Sequence, residues 1–184
     1  MLLFSTRYND GMYEEYYEKI SAPWRAKANG ELILSGIDNG LRGLVASLYF
    51  ILLVMLVVNQ SPLLLRAVLV PLCAFVLVSV WRSTINWKRP YEVHDIDPLI
   101  KKDTQGKSMP SRHMTSAAII ACTLWWVAST TGNMVVWVLA LLGSLACIAI
   151  AYVRIVGGVH FPRDIAVGAI TAIVIALVGF IMIP

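Results

Sequence analysis

The chain has 184 residues, 58% of them hydrophobic, and Asp, Glu, Lys and Arg together make up only 14%, against about 25% in an ordinary soluble domain. The 15 basic and 11 acidic residues fall in islands, ten in residues 1–40, eleven in 82–112 and five elsewhere, leaving 43–65, 67–81, 114–153 and 165–184 without charge. Stretches with no polar face exclude a soluble globular protein and a disordered chain, and, despite the net charge of +4, a nucleic-acid-binding domain. The composition is that of an integral membrane protein.

In chain order, Met1–Phe4 is an apolar patch too short for a signal-peptide core. Met12, Tyr13, Tyr16, Tyr17 and Ile20 then recur at helical spacing opposite Glu14, Glu15, Glu18 and Lys19, with Asp10 available as a cap and Pro23 soon after. This is an amphipathic helix, lying either on the membrane surface or against the protein's own loops. Residues 1–40 form this N-terminal interfacial segment and 41–184 one transmembrane domain.

A helix needs about 20 apolar residues to cross the hydrocarbon core, and cutting at polar breaks gives five spans. The first is Leu41–Val58, closed by Asn59-Gln60-Ser61-Pro62; the second is Leu63–Trp81, with Pro71 expected to kink it. The run from Met114 breaks at Thr130-Thr131-Gly132-Asn133 into spans at Ser111–Ser129 and Met134–Val153, and the fifth is Phe161–Ile183. The fold class is therefore an all-α polytopic helix bundle of about five spans plus the amphipathic helix. Gly168, Ala172 and Ala176 form a small-residue stripe for close helix packing. Cys73, Cys122 and Cys147 are odd in number and inside spans, so neither a disulfide framework nor a zinc site follows.

Ionisable residues at span ends are functional candidates by default, and three clusters stand out: Arg82 to Pro90, Pro110-Ser111-Arg112-His113, and Arg154 with His160 and Asp164. Span two ends at the first cluster, span three begins at the second, and spans three and four go out and return to deliver the third to the same face. Arg82, Arg89 and Arg154 are permanently charged forks suited to phosphate oxygens. Ser111 is placed to cap a helix whose free N–H groups face an anion. Pro162 suits the first turn of span five, which sets His160 and Asp164 on one helical face. The carboxylate can fix the imidazole tautomer, making His160 a candidate nucleophile, and His113 is left as general acid.

Taken alone, a His-x-x-x-Asp pair is a weak signal, and a structural or metal-ligand role is the commoner one. His94, Asp95 and Asp97 are too densely spaced before Pro98 to favour a metal site, and no metal or cofactor is expected. Gly106-Lys107-Ser108 mimics the end of a phosphate loop, but the required upstream glycine falls at Lys101. Asn59-Gln60-Ser61 fits a glycosylation acceptor only in form, given the tight turn and Pro62.

These residues resemble the type 2 phosphatidic acid phosphatase family over residues 82–164. Its Lys-x6-Arg-Pro pattern looks like Arg82 through Arg89-Pro90, its Pro-Ser-Gly-His like Pro110-Ser111-Arg112-His113, and its Ser-Arg-x5-His-x3-Asp like Val153-Arg154, His160 and Asp164. Arg82 stands for lysine, Arg112 for glycine, where the backbone can still contribute, and Val153 for serine. Integral members commonly have six spans, whereas five are counted here.

The resemblance implies a metal-independent, two-step hydrolysis of a lipid phosphomonoester or terminal diphosphate. The substrate would be of the phosphatidic acid, phosphatidylglycerophosphate or undecaprenyl diphosphate type. His160 would form a phosphohistidine, His113 would protonate the leaving group, and Arg82, Arg89, Ser111, Arg112 and Arg154 would hold the phosphoryl oxygens. Lys88 and Arg163 are read as headgroup or solvent contacts, and Trp81, Trp87 and Tyr91 as an interfacial aromatic belt. A phosphotransferase on the same site and a non-catalytic carrier of phosphorylated lipid are the alternatives; a vanadate-dependent haloperoxidase is disfavoured because those relatives are soluble. Of the 15 Lys and Arg residues all but Arg66 lie on the site's side, so the positive-inside rule places the site in the cytosol, in a bacterial plasma membrane.

Overall fold

The computed structural model describes residues 10–182, and the Met1–Phe4 patch and Ile183 lie outside them. Among the described residues the chain is all helical: α1 (Asp10–Arg25), α2 (Gly30–Val58), α3 (Leu64–Ile85), a short α4 (Pro90–Val93), α5 (Arg112–Thr131), α6 (Met134–Val156) and α7 (Pro162–Ala176). A π-helical turn, Leu177–Met182, continues α7. Five helices are long and apolar enough to cross a membrane, as the run lengths predict.

The bundle is built around α5, with α6, α7, α3 and α2 packed against it. Of the five spans α5 is the least apolar and the most buried. Among its inward positions Ala117, Ala118, Ala121 and Ala128, together with Thr115 and Thr123, are small, and Met114, Ile119, Leu124 and Val127 fill between them. Small side chains let backbones approach where lipid offers no hydrophobic drive for helix association. Gly168 on α7 shows how close the approach is: a Cβ there would lie 2.9 Å from the Ser111 carbonyl oxygen. The outer faces carry Phe50, Val54, Phe75, Leu77, Leu141 and Ile148, all exposed, as lipid contact requires.

Two expectations shift in detail. The first span starts at Gly30 rather than Leu41, because the helix continues through Glu31, Asp38 and Arg42. Those charges pair with Lys101, Arg154 and Arg42's own neighbour Asp38, so they need not interrupt it. Pro71 sits inside α3, where its missing N–H orphans the carbonyl of Ala67. The Tyr49 hydroxyl on α2 donates to that oxygen at 2.8 Å, supplying the bond a membrane interior cannot.

Helix α1 docks through Tyr13, Tyr17 and Ser21, all buried, while Met12 and Tyr16 stay exposed. Asp10 is its first residue and Pro23 lies within its last turn. Tyr13 stacks on His94 with ring centroids 4.4 Å apart and tilts against Phe161 at 5.1 Å. The Tyr17 hydroxyl accepts from the Leu99 N–H at 3.1 Å. It also presses on Gly158, whose φ of +72° and close contact exclude a side chain. The helix thus braces the turn that leads into His160.

Candidate active site

The C-terminal end of α3, the N-termini of α5 and α7, the C-terminal end of α6 and the 94–111 loop meet on one side of the bundle. They enclose a cavity of about 790 Å³ whose lining includes Arg82, Arg89, Lys102, Arg112, His113 and His160. All three sequence clusters reach this region.

Arg82 and Arg89 are each tied to backbone carbonyls. Arg82 Nη1 donates to the Ser108 and Pro110 carbonyl oxygens at 3.3 and 2.5 Å. Arg89 donates through Nε to Gly106 O at 3.0 Å and through Nη1 to Val159 O at 3.2 Å. Glu92 clips the segment together, its Oε2 accepting from the Arg89 and Gly106 N–H groups, each at 2.8 Å. Both guanidinium groups are buried, so their positions are fixed before any anion arrives.

His160 is 1% exposed, and its Nδ1 lies 3.6 Å from Asp164 Oδ2, which leaves Nε2 to the cavity. Burial pushes its pKa down to about 4, against the opposing pull of Asp164 and with the help of Arg89 and Arg154. The ring is therefore neutral near pH 7 and keeps a lone pair. Asp164 Oδ2 also accepts from the Phe161 N–H at 3.1 Å and from the Ser108 hydroxyl. Its side chain is both the first-turn cap of α7 and the backing of the imidazole.

Ser111 stands at the N-cap of α5, but its hydroxyl makes no capping bond. The buried Oγ has no protein partner, while its N–H donates to the Asp164 carbonyl oxygen at 3.0 Å. The expected capping bond is thus absent, and the hydroxyl stays buried behind the residues that line the cavity. Arg112 is exposed at the cavity mouth, with its guanidinium 5.7 Å from the Phe75 ring centre. Arg154 is fully buried, its Nε 3.1 Å from Asp38 Oδ1. Arg163 stacks on Phe161 and Trp87 at 4.6 and 5.3 Å. Val153, where the family pattern has serine, packs with Leu34, Leu99 and Ile100.

Four contributors escaped the sequence reading: Asp38, Glu92, Lys102 and Ser108. Lys102 is half-buried in the cavity wall, and burial together with Arg154 and Arg89 lowers its pKa to about 8. The default suspicion of ionisable residues at span ends would have found Asp38 had the first span been drawn from Gly30. Ser108 carries no such signal, because its partner lies 56 residues away.

No curated protein sequence matches the chain. Two solved structures share the fold. The crystal structure of Aquifex aeolicus LpxE has a TM-score of 0.66 at 24% identity, covering 90% of this chain and 92% of that one. A transmembrane PAP2-type phosphatidylglycerolphosphate phosphatase from Bacillus subtilis has a TM-score of 0.65 at 18% identity, covering 91% and 84%. The model of the PAP2 superfamily matches residues 49–184, and the chain is an integral membrane member of that phosphatase superfamily.

Proposed function

We propose that the chain releases inorganic phosphate from a lipid phosphomonoester or terminal diphosphate through a phosphohistidine on His160. The observation that carries this reading is a neutral, carboxylate-backed imidazole in the wall of a cavity shared with Arg82, Arg89 and His113.

The Nε2 lone pair of His160 attacks phosphorus while the bond to the lipid oxygen breaks. That oxygen takes the electron pair and a proton from His113. Positive charge developing on the His160 ring is met by Asp164. Arg82, Arg89, Arg154 and the Ser111 hydroxyl hold the equatorial oxygens as charge spreads over them, with Arg112 at the mouth. Neutral His113 then removes a proton from water, the oxygen attacks phosphorus, and the P–N bond breaks to return the lone pair to His160. No step calls for a metal, so turnover is expected to survive a chelator.

Candidate substrates are phosphatidic acid, phosphatidylglycerophosphate and undecaprenyl diphosphate; the phosphatidylglycerolphosphate phosphatase among the similar structures supports the second. The test is phosphate release by purified protein across these three in detergent micelles, with and without chelator. His160→Ala is expected to lower release at least a thousandfold, and normal release by that variant would overturn the reading.

The excess of Lys and Arg on the site's side supports a cytosolic site in a bacterial plasma membrane. Gln105→Cys, with Cys73, Cys122 and Cys147 replaced, is expected to resist an impermeant maleimide in intact cells and react after permeabilisation. Labelling in intact cells would reverse the orientation.

A further inference from the structure

Arg154 is a fully buried cation in the last turn of α6. None of its three guanidinium nitrogens has a protein hydrogen-bond partner. Among the described residues its ionic contact is with Asp38, Nε lying 3.1 Å from Oδ1. Asp38 is itself 3% exposed, and its second oxygen lies 3.4 Å from Arg42 Nη2, one turn along α2. Arg42 is fixed in turn by donating to the Asp38 carbonyl oxygen at 3.3 Å and to Asn39 Oδ1. The three side chains form a chain Arg42–Asp38–Arg154 that carries one net positive charge.

A guanidinium without solvent needs a counter-charge, since an isolated buried ion costs several kcal/mol. Asp38 supplies that charge from the Nε side. The Nη pair, which matches the bidentate geometry of a phosphate, is thereby left uncommitted. Arg154 is not itself among the residues lining the cavity, but its carbonyl oxygen accepts from the Val159 N–H at 3.3 Å, next to His160, which lines it. Arg42 neutralises the remainder of the carboxylate, which would otherwise oppose an anion. Asp38 also lies outside residues 49–184, the segment the superfamily model matches.

We propose that Asp38 is a positioning residue, holding Arg154 by Nε so that its two Nη amines face the phosphoryl group. Helix α2 thereby contributes to the site without touching substrate. The inference rests on the phosphatase reading above.

The test uses orthovanadate, a mimic of the transferring phosphoryl group, with its binding to detergent-purified full-length protein measured by calorimetry. Asp38→Asn is expected to weaken vanadate binding about tenfold, the loss of one charge-assisted contact, and to lower kcat/KM by a similar factor. Asp38→Glu, which keeps the charge, is expected to recover part of both. In an Arg154→Met background, Asp38→Asn is expected to change vanadate affinity less than twofold, because the pair acts as a unit.

A purely structural role would lower the thermal midpoint while leaving the vanadate affinity of the folded fraction intact, and that result would overturn the proposal. So would an equal tenfold loss in the Arg154→Met background. If Asp38→Asn does not fold, Asp38→Ser, which also removes the carboxylate, decides: wild-type vanadate affinity in that variant overturns the assignment. Failure of the wild type to release phosphate from any lipid phosphate would overturn the phosphatase reading instead, and is a separate result.

Discussion

Ser108 donates its hydroxyl to Asp164, the carboxylate whose same oxygen lies 3.6 Å from His160 Nδ1. The loop serine therefore restrains the group that backs the proposed nucleophile. Removing the hydroxyl leaves a buried carboxylate short of one donor, and hydrogen bonds to charged groups are worth about 1.5–3 kcal/mol. Only part of that reaches the transition state, because the Phe161 N–H still holds Asp164. Ser108→Ala is expected to lower kcat/KM about tenfold with little change in KM, measured by phosphate release. An unchanged kcat would show that Phe161 alone suffices.

The pH profile follows from two groups outside the spans. His160 has its pKa depressed to about 4 by burial, so it keeps its lone pair above that pH and loses it as pH falls through the value. Lys102, lowered to about 8 by burial and the nearby arginines, is cationic below that pH and neutral above it. The kcat/KM profile is therefore expected to fall below about pH 4 and again above about pH 8. A substrate phosphate with its second ionisation near about 6 adds an inflection of its own. Loss of the His113 proton adds to any alkaline fall, so Lys102→Gln is expected to remove only the step near pH 8, and that step persisting in the variant would assign it elsewhere.

Much of this was legible in the sequence because the informative quantities were global. Run length between polar breaks located the five spans, and the parity of crossings brought Arg82, His113 and His160 to one face with no packing knowledge. What stayed hidden depends on pairs of residues. By composition Asp38 falls in a polar N-terminal segment, because hydropathy marks where a helix enters hydrocarbon and not where its hydrogen bonding begins. Ser111 occupies the expected N-cap position, yet its hydroxyl makes no capping bond, since a position does not specify a rotamer. Helix α1 divides its aromatic residues, turning Tyr13 and Tyr17 inward and Tyr16 outward, a choice set by Phe161 and Gly158 in a distant loop.

The bond from Tyr49 to the Ala67 carbonyl makes a prediction about stability rather than chemistry. Tyr49→Phe orphans an acceptor in the bundle, at a cost of about 1–3 kcal/mol. Pro71→Ala restores an N–H at the position that ordinarily bonds Ala67, four residues earlier. The double variant is therefore expected to regain most of the stability lost in Tyr49→Phe, and the thermal midpoint in detergent measures it. Additive losses in the double variant would mean that the tyrosine acts through packing.

A control on site geometry lies at Gly168, one turn along α7 from Asp164. A Cβ there would meet the Ser111 carbonyl oxygen at 2.9 Å, Thr115 Oγ1 at 3.1 Å and Met114 Cβ at 3.4 Å. The nearest of these is backbone, which cannot swing aside, so α7 must move away from α5. That motion stretches the Ser111 N–H to Asp164 carbonyl bond, now 3.0 Å, and shifts Asp164 relative to the arginines held by the 94–111 loop. Gly168→Ala is expected to cost about 1–3 kcal/mol in overpacking and about tenfold in kcat/KM, and Gly168→Leu to abolish turnover. Gly36→Ala, where nothing lies within 4 Å of the added carbon, is expected to retain full activity. If Gly168→Ala also retained it, the α5–α7 contact would not set the separation on which the site depends.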